Sequence, residues 1–266
     1  MVVSMHSGGL GSWAAGKRAA ARYGTERLVL LFADVGGDSL EPHTGEDDDV
    51  YRFVAEGAAD IGGQLVRVAE GRTVWEVFHD RRAIGNTRWS LCSATLKQEP
   101  VHRWLRDNAP DDALVVVGID WSEDRRLPAM ERAYAPRQVW APLTEPPYLD
   151  RDGLLAELAA TGVAPPTMYA EGYAHANCGG FCVRAGQGQF VQLLETNPQR
   201  YAYHEQQEES LRRHLDKDVA VLRDRRGGTT KPLTLRALRE RVEAKLDSVD
   251  REDIGGCGCF VDGEPS

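Results

Sequence analysis

Ser7-Gly8-Gly9-Leu10-Gly11-Ser12 stands between a short apolar run, Val2-Val3-Ser4-Met5-His6, and a helix-like stretch over residues 13–23. A glycine-rich turn from strand to helix lets backbone N–H groups converge on an anion, and the helix that follows adds the positive end of its dipole. Ser7 and Ser12 add hydroxyl donors for phosphate oxygens. The turn lacks the Gly-Lys-Ser/Thr ending of a Walker loop. A plain glycine turn is the bland alternative. The position as the first strand-to-helix turn of the chain favours phosphate.

Outward from this turn the N-terminal half alternates short strands with amphipathic segments. Arg27-Leu28-Val29-Leu30-Leu31-Phe32-Ala33 is a continuous apolar run, as in a strand buried on both faces of a parallel sheet. Residues 48–61 carry Val50, Phe53, Val54, Gly57 and Ile61 on one helical face. Further strands are expected at 64–68, 113–118 and, more weakly, 137–141, with helices at 96–105 and 154–160. This alternation predicts a doubly wound α/β fold with a mainly parallel five-stranded sheet. Ligands of such sheets sit at the carboxyl ends of the strands. That singles out residues 7–12, Asp34 and the stretch from Gly118 to Arg126.

The texture changes after Pro142. Pro146-Pro147 and Pro165-Pro166 break the chain, and from Gln199 it is charged and mostly helical. Residues 1–195 are read as a nucleotide-binding α/β domain. Residues 196–266 are read as a helical, cysteine-bearing extension ending in Gly256-Cys257-Gly258-Cys259.

The chain has 266 residues, with 32 Lys and Arg against 41 Asp and Glu, a net charge of -9. That argues against broad, sequence-independent nucleic-acid binding. No apolar run approaches the roughly 18 residues of a membrane-spanning helix, and the N-terminus lacks the basic and apolar regions of a signal peptide. A cytoplasmic protein with no membrane partner is expected. The five cysteines are Cys92, Cys178, Cys182, Cys257 and Cys259. In a reducing compartment, closely spaced cysteines more often bind metal or do redox chemistry than form disulfides. An iron–sulfur cluster is favoured, zinc is the competing metal, and five unrelated buried thiols are the plain alternative.

Ser-Gly-Gly-x-x-Ser after the first strand resembles the pyrophosphate-binding PP-loop of the adenine nucleotide α-hydrolase superfamily. Asp34 after the second strand matches that family's strand ending in Asp. Asn86-Thr87-Arg88-x-x-x-Cys92-x-x-x-x-Lys97-x-x-Pro100 and Asn177-Cys178-Gly179-Gly180-Phe181-Cys182 resemble the two cysteine segments of adenylylsulfate reductases. The resemblance implies a PP-loop fold binding ATP and Mg²⁺. In it Ser7, Gly8, Gly9, Gly11, Ser12, Asp34 and Gly118 contact the nucleotide, while Arg88 and Lys97 grip the pyrophosphate. It also implies a [4Fe–4S] cluster on Cys92, Cys178, Cys182 and a terminal cysteine. Cys257 is assigned to that place and Cys259 to a mobile nucleophile or sulfur carrier, although the two are interchangeable at this stage.

The chain departs from the reductases in its single Cys92, its CxxxC spacing and its missing Glu-Cys-Gly-Leu-His tail. Its first loop keeps the form seen in ATP-cleaving members. The expectation is an ATP-dependent enzyme of sulfur metabolism that adenylates an acceptor and releases pyrophosphate. A sulfonucleotide reductase using Cys257 or Cys259, and a non-catalytic redox-sensing nucleotide-binding protein, are the alternatives. Expected partners are an adenine nucleotide, a sulfur acceptor, a sulfur donor or thioredoxin-like reductant, and further copies of the chain. The acidic run Glu46-Asp47-Asp48-Asp49 is read first as a helix cap and second as a Mg²⁺ or substrate contact. Arg125, Arg126, Tyr169, Tyr173 and His175 are further pocket candidates.

Overall fold

The computed structural model describes residues 1–37, 42–86, 90–246 and 248–255. Its centre is an all-parallel sheet of five strands: β1 (Val2–Met5), β2 (Leu28–Asp34), β3 (Gln64–Ala69), β4 (Leu114–Val116) and β5 (Gln138–Trp140), in the order β3-β2-β1-β4-β5. The helices up to the sheet's last strand are α1 (Leu10–Tyr23), α2 (Asp48–Ile61), α3 (Val74–Arg81), α4 (Glu99–Asn108) and α5 (Leu127–Tyr134). Then come α6 (Arg151–Ala159), α7 (Thr167–Ala170), α8 (Gln187–Thr196), α9 (Pro198–Leu215), a small antiparallel hairpin of β6 (Leu222–Asp224) and β7 (Lys231–Leu233), and α10 (Leu235–Glu243).

Alternate residues of the central strands feed two cores. Val2, Leu28, Leu30 and Val116 pack with Trp13 of α1, Phe53 of α2 and Leu158 of α6. Val3, Val29, Leu31 and Val115 pack with Leu105 of α4 and Met130 of α5. This two-sided burial is why β2 reads as an unbroken apolar run. The strand order reverses at β1, with β2 on one side and β4 on the other. A crevice therefore opens at the carboxyl ends of these strands, the place where sheets of this kind bind ligands.

The elements expected from sequence are present, with two local differences. The helix expected at 96–105 begins with a π turn, Ser93–Gln98, before α4. The Glu99 N–H reaches back five residues to Ala94 O, the bond of a π turn, and Pro100 follows in the first turn of α4. The extension also lacks a core of its own. Trp75 and Phe78 of α3 share one apolar cluster with Phe181, Phe190 of α8, Tyr201 and Leu211 of α9, and Leu238 of α10. The expected boundary at 195 falls within α8. Among the described residues, no helix is long and apolar enough to cross a membrane.

Candidate functional site

The turn at 7–12 is braced from within. Ser12 Oγ accepts the Ser7 N–H at 3.1 Å and donates to Gly9 O at 2.7 Å. The Leu10 N–H is taken by the Tyr169 hydroxyl of α7 at 3.1 Å. Among the described residues, no protein acceptor meets the N–H groups of Gly8, Gly9 and Gly11. The Ser7 side chain is exposed, whereas Ser12 is buried.

The glycines have different reasons to be there. Gly8 has φ +78° and a Cβ on it would come within 2.6 Å of Val50. A Cβ on Gly11 would lie 2.9 Å from the Gly118 carbonyl, and one on Gly118 would lie 2.8 Å from the backbone of Gly11 and Ser12. Gly118 thus lets the turn after β4 press against the start of α1. Gly9 has φ -101° and a Cβ there would meet nothing closer than 3.6 Å. The fold itself does not need a glycine at position 9.

A cleft of about 200 Å³ opens beside this turn, lined by Ser7, Gly9, Gly11, Ser12, Gly118 and Lys97 among others. Tyr169 and His175 line it too, as does Arg126, whose Nη1 is 2.6 Å from Glu123 Oε1. Tyr173 does not; its hydroxyl meets Thr196 Oγ1 at 2.8 Å. Asp34 also stands apart. Its carboxylate accepts the Gly36 N–H and the Tyr51 hydroxyl, each at 2.8 Å, and pairs with Arg67.

Cys92, Cys178 and Cys182 line a second cavity, of about 30 Å³, together with Val35, Phe181 and Lys97. None of the three is in a disulfide. Burial, and then the neighbouring Cys182, push the Cys92 thiol up to about 11, while Lys97 pulls the other way. Burial likewise holds the Cys178 thiol well above the usual range. Among the described residues, no group of three or more His, Cys, Asp or Glu side chains is arranged to hold a metal ion. Arg88, Cys257 and Cys259 lie outside the described residues. The last described residue, Gly255, bridges to Ala185, and Gly186 N–H donates to Ile254 O at 3.0 Å. The chain is thereby tethered three positions past Cys182.

Two residues organise this chamber in ways the sequence did not disclose. Glu46 is 2 % exposed. Its carboxylate lies 3.5 Å from Lys97 Nζ and accepts the Cys178 N–H. Burial raises its pKa, partly offset by Lys97 and by that N–H. The rest of the acidic run does what a cap does: Asp47 accepts the Asp49 N–H at 3.0 Å, and Asp49 holds Arg52 at 2.6 Å. The second is Arg200 of α9, which donates to Gly45 O at 3.1 Å and Glu46 O at 3.2 Å. It also fills the space beside Gly179, where a Cβ would fall 1.8 Å from Nη1. Cys178, Gly179 and Gly180 all have positive φ, so this clamp secures a turn that a side-chain-bearing residue at 178 adopts only at a cost. No sequence signal distinguished Arg200 from the other arginines of a charged helix.

The chain matches no protein-family model and no curated protein. The structure itself defines an α/β protein of Rossmann-like architecture, with a polar cleft at the reversal point of its sheet and a cysteine-lined cavity behind one wall of that cleft.

Proposed function

We propose that this chain is a PP-loop, ATP-dependent enzyme of sulfur metabolism, which cleaves ATP to AMP and pyrophosphate while adenylating an acceptor. The observation that carries the reading is Lys97, which lines both the cleft at the glycine turn and the cysteine cavity. A nucleotide held at the turn would have its phosphates one side chain away from three thiols.

ATP, as its Mg²⁺ complex, binds with its phosphates against the N–H groups of Gly8, Gly9 and Gly11, the Ser7 hydroxyl and the start of α1. An acceptor oxygen attacks the α-phosphorus. The bond from that phosphorus to the bridging oxygen breaks, and its electron pair leaves with pyrophosphate. Lys97 and Arg126 offset the charge that develops there. Adenylation turns a poor oxygen leaving group into a good one, and a sulfur nucleophile then displaces AMP.

The donor set suits an iron–sulfur cluster in kind, with three thiols around one cavity. A fourth thiolate would come from Cys257, as the resemblance to the reductases implies. When bound, the cluster would hold or supply sulfur or electrons at that wall. Zinc on the same thiols is the competing occupant.

The test is anaerobic purification with iron and acid-labile sulfide analysis, followed by pyrophosphate and AMP release from ATP–Mg²⁺ across candidate acceptors. About four irons per chain and acceptor-dependent pyrophosphate are expected. Stoichiometric zinc without iron would replace the cluster. The tether at Ala185–Gly255 keeps one second reading in view, a sulfonucleotide reductase whose terminal thiol attacks sulfur. Sulfite released from adenylylsulfate or its 3′-phosphorylated form without ATP, and lost in Cys257→Ser or Cys259→Ser, would put that reading first.

A further inference from the structure

We propose that an open pocket beside the cleft, framed by Trp121 and Tyr148, binds the ammonium group of a small organic cation. The site is separate from the glycine turn, and the proposal does not depend on the nucleotide reading.

The pocket has a volume of about 540 Å³, within the size range of small-ligand sites. It lies where the chain leaves β4 and β5 at the carboxyl edge of the sheet: Trp121 opens a short 3₁₀ turn after β4, and Thr144 and Tyr148 follow β5. A parallel bridge between Asp120 and Leu143 holds these two loops side by side. The segment from Trp121 through α5 divides the pocket from the cleft. Arg126, Met130 and Tyr134, at helical spacing, line the cleft, while Leu127 and Glu131 line the pocket.

Trp121 is 46 % exposed and Tyr148 59 %, whereas Trp13 and Trp75 are buried. A tryptophan and a tyrosine side by side on the surface keep a joined apolar patch in water, which is the mark of a binding site more than of a fold requirement. The rings are held in place. Trp121 Nε1 donates to Leu149 O at 3.2 Å, and the Trp121 ring meets that of Tyr148 at 6.4 Å and 63°. Rings so inclined cannot clasp a flat base between parallel faces. They can border two sides of a compact cation, which the negative faces of the rings attract.

The rest of the lining sets the charge. Asp124 and Glu131 belong to it, and no basic side chain does. Glu123, which lines the cleft instead, is paired with Arg126 at 2.6 Å. Among the described residues, no cation pairs with Asp124 or Glu131. Two open carboxylates beside two aromatic rings repel phosphate and favour an ammonium. Leu127 and Pro128 add apolar surface, which suits alkyl substituents on that nitrogen and not a bare metal ion in search of oxygen ligands.

The experiment is an NMR titration of the protein followed by the Trp121 indole N–H resonance, identified by its loss in Trp121→Phe. The probes are choline and its neutral isostere, in which a quaternary carbon replaces the charged nitrogen. Choline should shift the resonance saturably, and the isostere should bind about tenfold more weakly. Asp124→Asn combined with Glu131→Gln changes two exposed positions. It should weaken choline several-fold, remove most of the salt dependence of binding and leave the melting temperature unchanged. Equal affinity for choline and the isostere would make the pocket merely apolar and overturn the proposal, as would the absence of any saturable shift. A double variant that binds choline as the wild type does would overturn it too, since the carboxylates would then recognise no charge.

Discussion

The glycine turn at 7–12 is braced by its own residues, whereas the cysteine cavity is lined by chain from Val35 to Arg184. The first is local: Ser12 braces Ser7 and Gly9 within six residues. The second depends on pairs far apart in sequence, such as Glu46 with Cys178, 132 positions away. A locally built site survives damage elsewhere, while a site assembled from distant pieces inherits the stability of everything that holds them together.

The sharpest way to break this contrast is at Gly9, since the fold has no need of a glycine there. Gly9→Val should reduce pyrophosphate and ATP affinity more than a hundredfold, because its side chain would stand where phosphate must approach. The melting temperature should change little. Unchanged affinity by calorimetry would remove phosphate from the turn. Gly118→Val is the control, since its Cβ meets backbone at 2.8 Å and the variant should lose stability first.

On the chamber side, Lys97→Met takes the cation from the buried Glu46 carboxylate. Breaking a buried pair from one side costs about 3 kcal/mol or more. Adding Glu46→Gln removes the stranded charge and should recover most of that loss in urea unfolding. If the double variant is no more stable than Lys97→Met alone, the pair does not hold the chamber wall.

A smaller effect belongs to the sheet. Burial lowers the pKa of His6 from 6.5 to about 4, and its Nε2 lies 3.1 Å from Val54 O. Between those values the unfolded chain takes up a proton that the folded one refuses, so stability falls as pH drops through the window. The difference from pH 7 amounts to about 2 kcal/mol at pH 5. His6→Gln should show a flatter profile than wild type; superimposable profiles would remove His6 as the cause. The smallest expected effect is Ser12→Ala, which loses the brace on Ser7 for about 1 kcal/mol and weakens pyrophosphate binding several-fold. An affinity equal to wild type would show that the turn is preorganised without it.

The same contrast explains what the sequence disclosed. The strands β1, β2 and β4 were legible because they are largely buried and leave apolar runs, whereas the edge strands β3 and β5 are partly exposed and leave a fainter mark. The bounds of α2 were legible because Asp47 caps one end and Gly62 ends the other in the left-handed conformation. Glu46 was not legible, since it stands first in an acidic run whose other members behave as a solvated cap. Its burial is decided by Lys97 and Cys178, which no spacing rule connects to it. The π turn was hidden for a similar reason. Val101, Trp104 and Leu105 keep an ordinary helical rhythm, and the expected helix simply ran that rhythm back to Leu96. Arg200 was hidden among the other arginines of the extension.

Lys97, as a common wall, makes the two compartments inseparable under selection. Any replacement of Lys97 that reshaped the cleft at the glycine turn would also remove the charge that acts on Cys92 and Cys178. Residues that line the cleft alone, Ser7 and Gly9 among them, can change without that double effect, and position 97 cannot.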